Sequence, residues 1–135
     1  MPSVTAIREA IATQLQLITA LNVYSKIADS VMVPAAYVGQ PEVVNYDQTF
    51  RASNFRFQIP VKVVTGNVQE DQAQELLDTF VSYEGANSVP LAIGLDFSLG
   101  GSVQSSRVVE ARNYGVYEIG GVSYLGVEFL IEVIA

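Results

Sequence analysis

Cysteine and histidine are both missing from this chain of 135 residues. Without cysteine there are no disulfides, no thiol catalysis and no cysteine–zinc site, and redox compartment leaves no trace. Without histidine the commonest general base, the commonest metal ligand and the usual pH switch are gone. Basic residues are few. Seven of them lie scattered from Arg8 to Arg112 against fourteen acids, for a net charge of −7. Sequence-independent nucleic-acid binding works by neutralising phosphates with Lys and Arg, so the single chain is a poor candidate for it. In a ring, however, one basic residue per subunit becomes a circle of charge. No apolar run reaches the ~18 residues of a membrane span. Met-Pro-Ser-Val-Thr at the start is not a basic stretch followed by an apolar core. The expectation is therefore no secretory signal and a protein made in a cytoplasm.

What is present suits one domain over 1–135. Half of the residues are hydrophobic and 16% are charged, a balance that favours folding over disorder. A chain of this length buries roughly two-thirds of its unfolded surface and needs no staples. Val4, Ile7, Ile11, Leu15 and Ile18 follow the spacing of one helical face, with Ser3 placed to cap it, which predicts a helix from Ser3 to about Thr19. Gln14 and Gln16 lie off that stripe. Asn22–Ile27 and Ala35–Gly39 read as short strands, the second closed by Pro41. Phe55, Phe57, Ile59, Val61 and Val63 alternate with polar residues up to Thr65, the pattern of a half-buried strand. Pro60 in its middle argues for an edge or a bulge. With Glu42–Phe50 before it, this strand makes a long hairpin over 42–65 whose tip is 51–54. Ala73, Leu76, Leu77 and Phe80 mark a second helix from about Val68 to Tyr83, with Glu70 and Asp71 in its first turn and Gly85 as its stop. The segment 87–101 reads equally as a short helix capped by Ser88 or as a strand.

The last quarter of the chain reads as a second hairpin around Gly120-Gly121. Its final strand puts Leu125, Val127, Phe129, Ile131 and Val133 on a dry face. Tyr124, Glu128, Leu130 and Glu132 fall on a wet or partner-facing one. A two-residue turn without a bulge would bring Arg112 and Glu110 onto the core face. A three-residue loop pairs Tyr117 with Leu125, Ala111 with Ile131 and Val109 with Val133, and is therefore expected, leaving Arg112 diagonally between Glu128 and Glu132. A bulge at Gly115 would do the same job.

No residue set spells out catalysis, a cofactor site or a metal site. Glu128 and Glu132 are two carboxylates where a hard cation demands several oxygen ligands, so a solvated face or partnership with Arg112 is expected. Gly94–Gly101 contains glycines but matches neither a Walker loop nor a dinucleotide fingerprint. Seven tyrosines are present: Tyr24, Tyr37, Tyr46, Tyr83, Tyr114, Tyr117 and Tyr124. Tyrosine joins apolar area to a polar tip, which suits interfaces. Tyr114 and Tyr124 are assigned to the outer face of the terminal hairpin. Aromatic and Arg residues are the usual interface anchors, so Phe50 and Arg51 at the tip of the long hairpin come first, ahead of Arg56 and Lys62 on its strand. The candidate interface is thus Phe50, Arg51, Arg56, Lys62, Arg112, Tyr114, Tyr124, Glu128 and Glu132.

The order of these pieces resembles a known pattern. After the first helix come Pro34-Ala-Ala-Tyr-Val-Gly39, Tyr46-Asp-Gln-Thr-Phe-Arg51 and Val61-Lys-Val-Val-Thr-Gly66. Beyond the second helix stand Glu110-Ala-Arg-Asn-Tyr-Gly-Val-Tyr117 and Gly120-Gly-Val-Ser-Tyr-Leu-Gly-Val-Glu-Phe129. Over nearly its whole length the chain looks like the neck proteins of long-tailed bacteriophages, most closely the tail terminators of siphophages infecting actinobacteria. The resemblance implies an α/β fold of the α+β type. A mostly antiparallel sheet with a projecting long hairpin would be packed by an N-terminal and a central helix. It implies a structural virion protein and no enzyme. The subunits would form a ring, usually a hexamer, that caps the tail tube protein and joins the tail to the head–tail connector or stopper protein, with DNA passing through the lumen. No cofactor and no membrane would be involved, and the place would be the virion neck after assembly in the host cytoplasm. The alternatives are another neck ring, such as a head-completion or stopper protein, and a small ligand-binding α+β domain.

Overall fold

The structure is a computed structural model. It describes residues 3–19, 21–25, 32, 34–46, 55–67, 71–96, 98–101, 103 and 105–134, and of 43–46, 55, 67 and 71 the backbone only. The elements are α1 (Val4–Leu15), β1 (Asn22–Tyr24), β2 (Ala35–Val38), β3 (Val43–Tyr46), β4 (Phe55–Asn67), α2 (Asp71–Val81), α3 (Val89–Gly94), β5 (Ser105–Ile119) and β6 (Val122–Ile134). Six strands form one mixed sheet in the order β1-β2-β4-β6-β5, with β3 also paired to β4. Among the described residues only β1 and β2 run parallel. The fold is α+β and mostly antiparallel, with all three helices contributing to one core.

That core sits between one sheet face and the helices. Alternation gives Phe57, Ile59, Val61 and Val63 of β4, and Val127, Phe129, Ile131 and Val133 of β6, to the buried face. α1 meets them with Ile7, Ile11 and Leu15, and the turn after it with Ile18, all buried. Each such side chain contributes about 1.5–3 kcal/mol relative to exposure. Ser3 caps α1 by accepting the Ala6 N–H at 3.1 Å. The helix ends at Leu15, short of the expected Thr19, because tighter bonds take over: Leu17 N–H to Gln14 C=O and Ile18 N–H to Leu15 C=O. These i→i+3 turns still deliver Ile18 to the core. Gln14, off the stripe, stitches α1 to α3 by donating to Ala92 C=O at 2.7 Å.

α2 buries Ala73, Leu77 and Phe80, as its stripe predicts, and Leu76 packs partly buried beside them. Its expected start at Val68–Glu70 lies outside the described residues, as does the expected end of the first strand at Ile27. β4 carries a bulge between Val64 and Gly66. The bulged Thr65 turns its hydroxyl to the helix layer and donates to Ala73 C=O at 2.8 Å. Of the two readings of 87–101, the helix is the one found. Ser88 caps α3 by accepting the Leu91 N–H at 3.1 Å, and Val89, Ala92 and Ile93 are buried. Beyond it the Asp96 carboxylate accepts the N–H groups of Ser98 and Gly100 and the Ser98 hydroxyl.

Pro60 is not on an edge strand. β4 is bonded to β2 and β3 on one side and to β6 on the other. Gly39 N–H donates to Pro60 C=O at 2.8 Å, so Pro60 turns its backbone polar groups toward the β2/β3 side. It does so where β2 has ended at Val38, opposite Val61, and β3 has not begun, Val43 standing opposite Gln58. The missing donor thus faces the seam between the two strands, where the β2 ladder has ended and the β3 ladder has not begun. Of the expected hairpin over 42–65, β3 and β4 pair antiparallel from Val43–Gln58 to Tyr46–Phe55, and β4 is also paired with β6 from Arg56 to Asn67. The tip of the hairpin, with Phe50 and Arg51, lies outside the described residues.

Candidate functional site on the helix-free face

The terminal hairpin closes with a two-residue turn, Ile119 opposite Val122, and not with the expected three-residue loop. Gly120 and Gly121 both take positive φ, 61° and 79°, which such a turn requires. Two irregularities in β5 then correct the register: one between Val108 and Glu110, the other between Arg112 and Gly115. The second is the bulge that the sequence offered as the alternative, with Asn113 at φ 55°. Ala111 therefore stands opposite Phe129, not Ile131, and Arg112 stands directly opposite Glu128. Glu132 pairs with Arg107 instead.

This register builds a charged centre on the sheet face away from the helices. Glu128 is 5% exposed, so of the two expectations for it the solvated face fails and the partnership with Arg112 is the one found. Its Oε1 accepts from Arg112, from one terminal nitrogen at 2.9 Å and from Nε at 3.3 Å. Its Oε2 accepts Asn113 Nδ2 at 3.0 Å. Lys62 of β4 stands opposite it in register. Arg112 further pairs with Glu110 at 3.5 Å and with Glu42. The Glu42 contact crosses β6 and β4, which separate β5 from β3.

Around the ions lies a small second cluster: Ala35, Tyr37, Val64 and Ile119, with Tyr24, Tyr117 and Tyr124 packed on it. Tyr117 lies across the hole left by Gly126. A Cβ there would be 2.7 Å from the Tyr117 ring, 2.9 Å from Val64 Cγ1 and 2.6 Å from Val63 O. Lys62 Nζ sits 6.0 Å from the Tyr117 ring centroid, at the outer reach of a cation–π contact.

The electrostatics follow from this packing. Burial pushes the Glu128 carboxyl up, but the hydrogen bonds from Asn113 and Arg112 and the charges of Arg112 and Lys62 together hold it below the usual carboxylate range. Burial, then the Glu128 charge, raises the Tyr37 phenol and pushes Tyr117 to about 12. Arg112 is raised by its bonds to Glu128 and Glu42. At neutral pH these groups hold fixed charges and intact phenol protons, which suits hydrogen bonding and not proton transfer.

Of the candidate residues, the structure gathers Lys62, Arg112, Glu128 and Tyr124 on this face. Tyr114 is not with them. The bulge turns it to the helix side, where its hydroxyl donates to Asp78 at 3.1 Å, and burial and that carboxylate push it up to about 12. Arg56 is exposed, opposite Ile134 at the far end of β4. Sequence reasoning passed over Glu42, Asn113, Tyr37 and Tyr117 as members of the site. An asparagine two residues before a glycine was the available signal for the bulge. Nothing local marked Glu42, 70 positions from Arg112. Where two carboxylates and a cation were considered, three carboxylates converge on a guanidinium. Among the described residues no group of three His, Cys, Asp or Glu could hold a metal ion, and no helix is long and apolar enough to cross a membrane. Compared with known proteins, the chain matches no family model and no curated protein.

Proposed function

We propose that this protein is a structural subunit of a phage tail neck. It would form a ring, a hexamer on the resemblance, that caps the tail tube, ends its elongation and joins the tail to the head connector. The observation that carries this reading is the order of elements on one sheet. A leading helix, short strands, the 42–65 hairpin, a central helix and a terminal hairpin follow one another as the resemblance implies. The two sides of the sheet are also unlike. β5 flanks one side over fifteen residues, whereas three-residue β1 and four-residue β3 flank the other. Exposed apolar residues are likewise split. Leu17, Leu91 and Leu95 lie on the helix layer, and Val109, Tyr114, Val116 and Val122 on the terminal hairpin. Unlike surfaces joining head to tail build rings when the rotation between subunits closes. The role is architectural, without catalysis or cofactor, in the virion neck after assembly in the host cytoplasm.

The test is electron microscopy of tails assembled with and without the protein, beside light scattering of the purified chain. Tails of uncontrolled length in its absence support the terminator role. Tails of normal length that fail to join heads move the assignment to a connector or stopper ring. Normal, joined tails reject both.

A further inference from the structure

We propose that Arg112 is an electrostatic clasp that governs how tightly β3, the base of the hairpin arm, is held to the sheet. Among the described residues β3 pairs with one strand only, through four residues of β4. Glu42, directly before β3, is bonded to that same strand by its N–H to Gln58 C=O at 2.8 Å. Its side chain makes a second, independent attachment, to Arg112 on β5. The two ends of the clasp differ. Glu128 is the fixed end, with its side chain 6% exposed and its second oxygen held by Asn113. Glu42 is the open end, at 42%. Glu110 also touches Arg112, but from the same strand, so it cannot hold β3. Lys62, Tyr37 and Tyr117 wall the buried side. Salt screens the exposed side of such a chain of charges far more than the buried side. Ionic strength therefore releases Glu42 while Arg112 stays on Glu128, and β3 loosens without the sheet opening.

Hydrogen exchange of the full chain at low and high salt tests this, read at the amides of 43–46 and, for reference, at those of Val127 and Phe129. In the wild type, salt should speed exchange at 43–46 roughly two- to fivefold, the reach of a partly exposed ion pair. Glu42→Gln should show that faster rate already at low salt and respond no further to salt. Glu110→Gln should behave as wild type. Unchanged exchange at 43–46 in Glu42→Gln overturns the clasp. So does a Glu42→Gln variant that keeps the wild-type salt response, and so does acceleration that is equal at 43–46, Val127 and Phe129.

Discussion

Replacing Gly126 by alanine adds one methyl group at a crowded glycine of the sheet. The new Cβ would stand 2.6 Å from Val63 O, 2.7 Å from a Tyr117 ring carbon and 2.9 Å from Val64 Cγ1. The Tyr117 ring can swing away, and Val64 can turn about one bond. Val63 O is backbone in the neighbouring strand, one residue before the β4 bulge, and yields only if the β4–β6 ladder shifts. Overpacking of this kind costs about 1–3 kcal/mol, and the backbone contact places Gly126→Ala in the upper half of that range. For a chain of this size that corresponds to a melting temperature lower by roughly 6–12 °C. Denaturant unfolding should show a lower midpoint with an unchanged slope, since the native surface is unaltered. The double variant Tyr117→Ala, Gly126→Ala separates the two contacts. Adding Gly126→Ala to Tyr117→Ala should still cost most of the penalty, because Val63 O remains. A single variant within about 0.5 kcal/mol of wild type would refute the reasoning, and full relief in the double variant would place the clash on the ring instead.

Phe129 is fully buried at the centre of the core face, so Phe129→Ala should cost about 3–5 kcal/mol by chemical denaturation; an unchanged midpoint would reverse the assigned faces. Glu128, held below its ordinary range when folded, stabilises the fold at neutral pH and loses that contribution as pH falls from the unfolded carboxyl range through the lower folded value; Glu128→Gln should flatten this acid limb of the stability profile. Tyr114 and Tyr117 lie at about 12 when folded, above the value near 10 of a free phenol, so they favour the fold below that range. Stability should fall as pH rises from the free value through the folded one, and ultraviolet titration should show late phenols, Tyr37 among them, of which Asp78→Asn advances Tyr114.

The helices and the faces of β6 were legible because burial repeats locally: Ile7, Ile11, Leu15 and Ile18 share a stripe whatever lies opposite. The fate of Glu128 was not. Its alternation put it on the far face correctly, but burial there comes from Tyr37 and Tyr117 on two other strands, which no window of the sequence joins. The β5 register failed for a related reason. A longer turn and a bulged strand both move Arg112 off the core face, and side-chain pattern alone does not separate them. The positive φ of Asn113 does, and it is a backbone property that a polar residue tolerates without announcing. Ser88 settled the other ambiguous segment, since a hydroxyl at the first turn satisfies an N–H group that a strand would have spent on a neighbour.

Pro60 has a consequence beyond its own missing bond. If β2 slid along β4 by two residues, one of its carbonyls would meet a ring that has nothing to donate. If β3 slid the other way, it would meet the same obstacle. Gly39 adds to this, because a Cβ there would stand 3.1 Å from Pro60 Cγ, so little else fits beside the ring. The proline therefore acts as a register mark. It keeps two short strands aligned on one long one through a position that can accept but not donate, where most sheets rely on positions that do both.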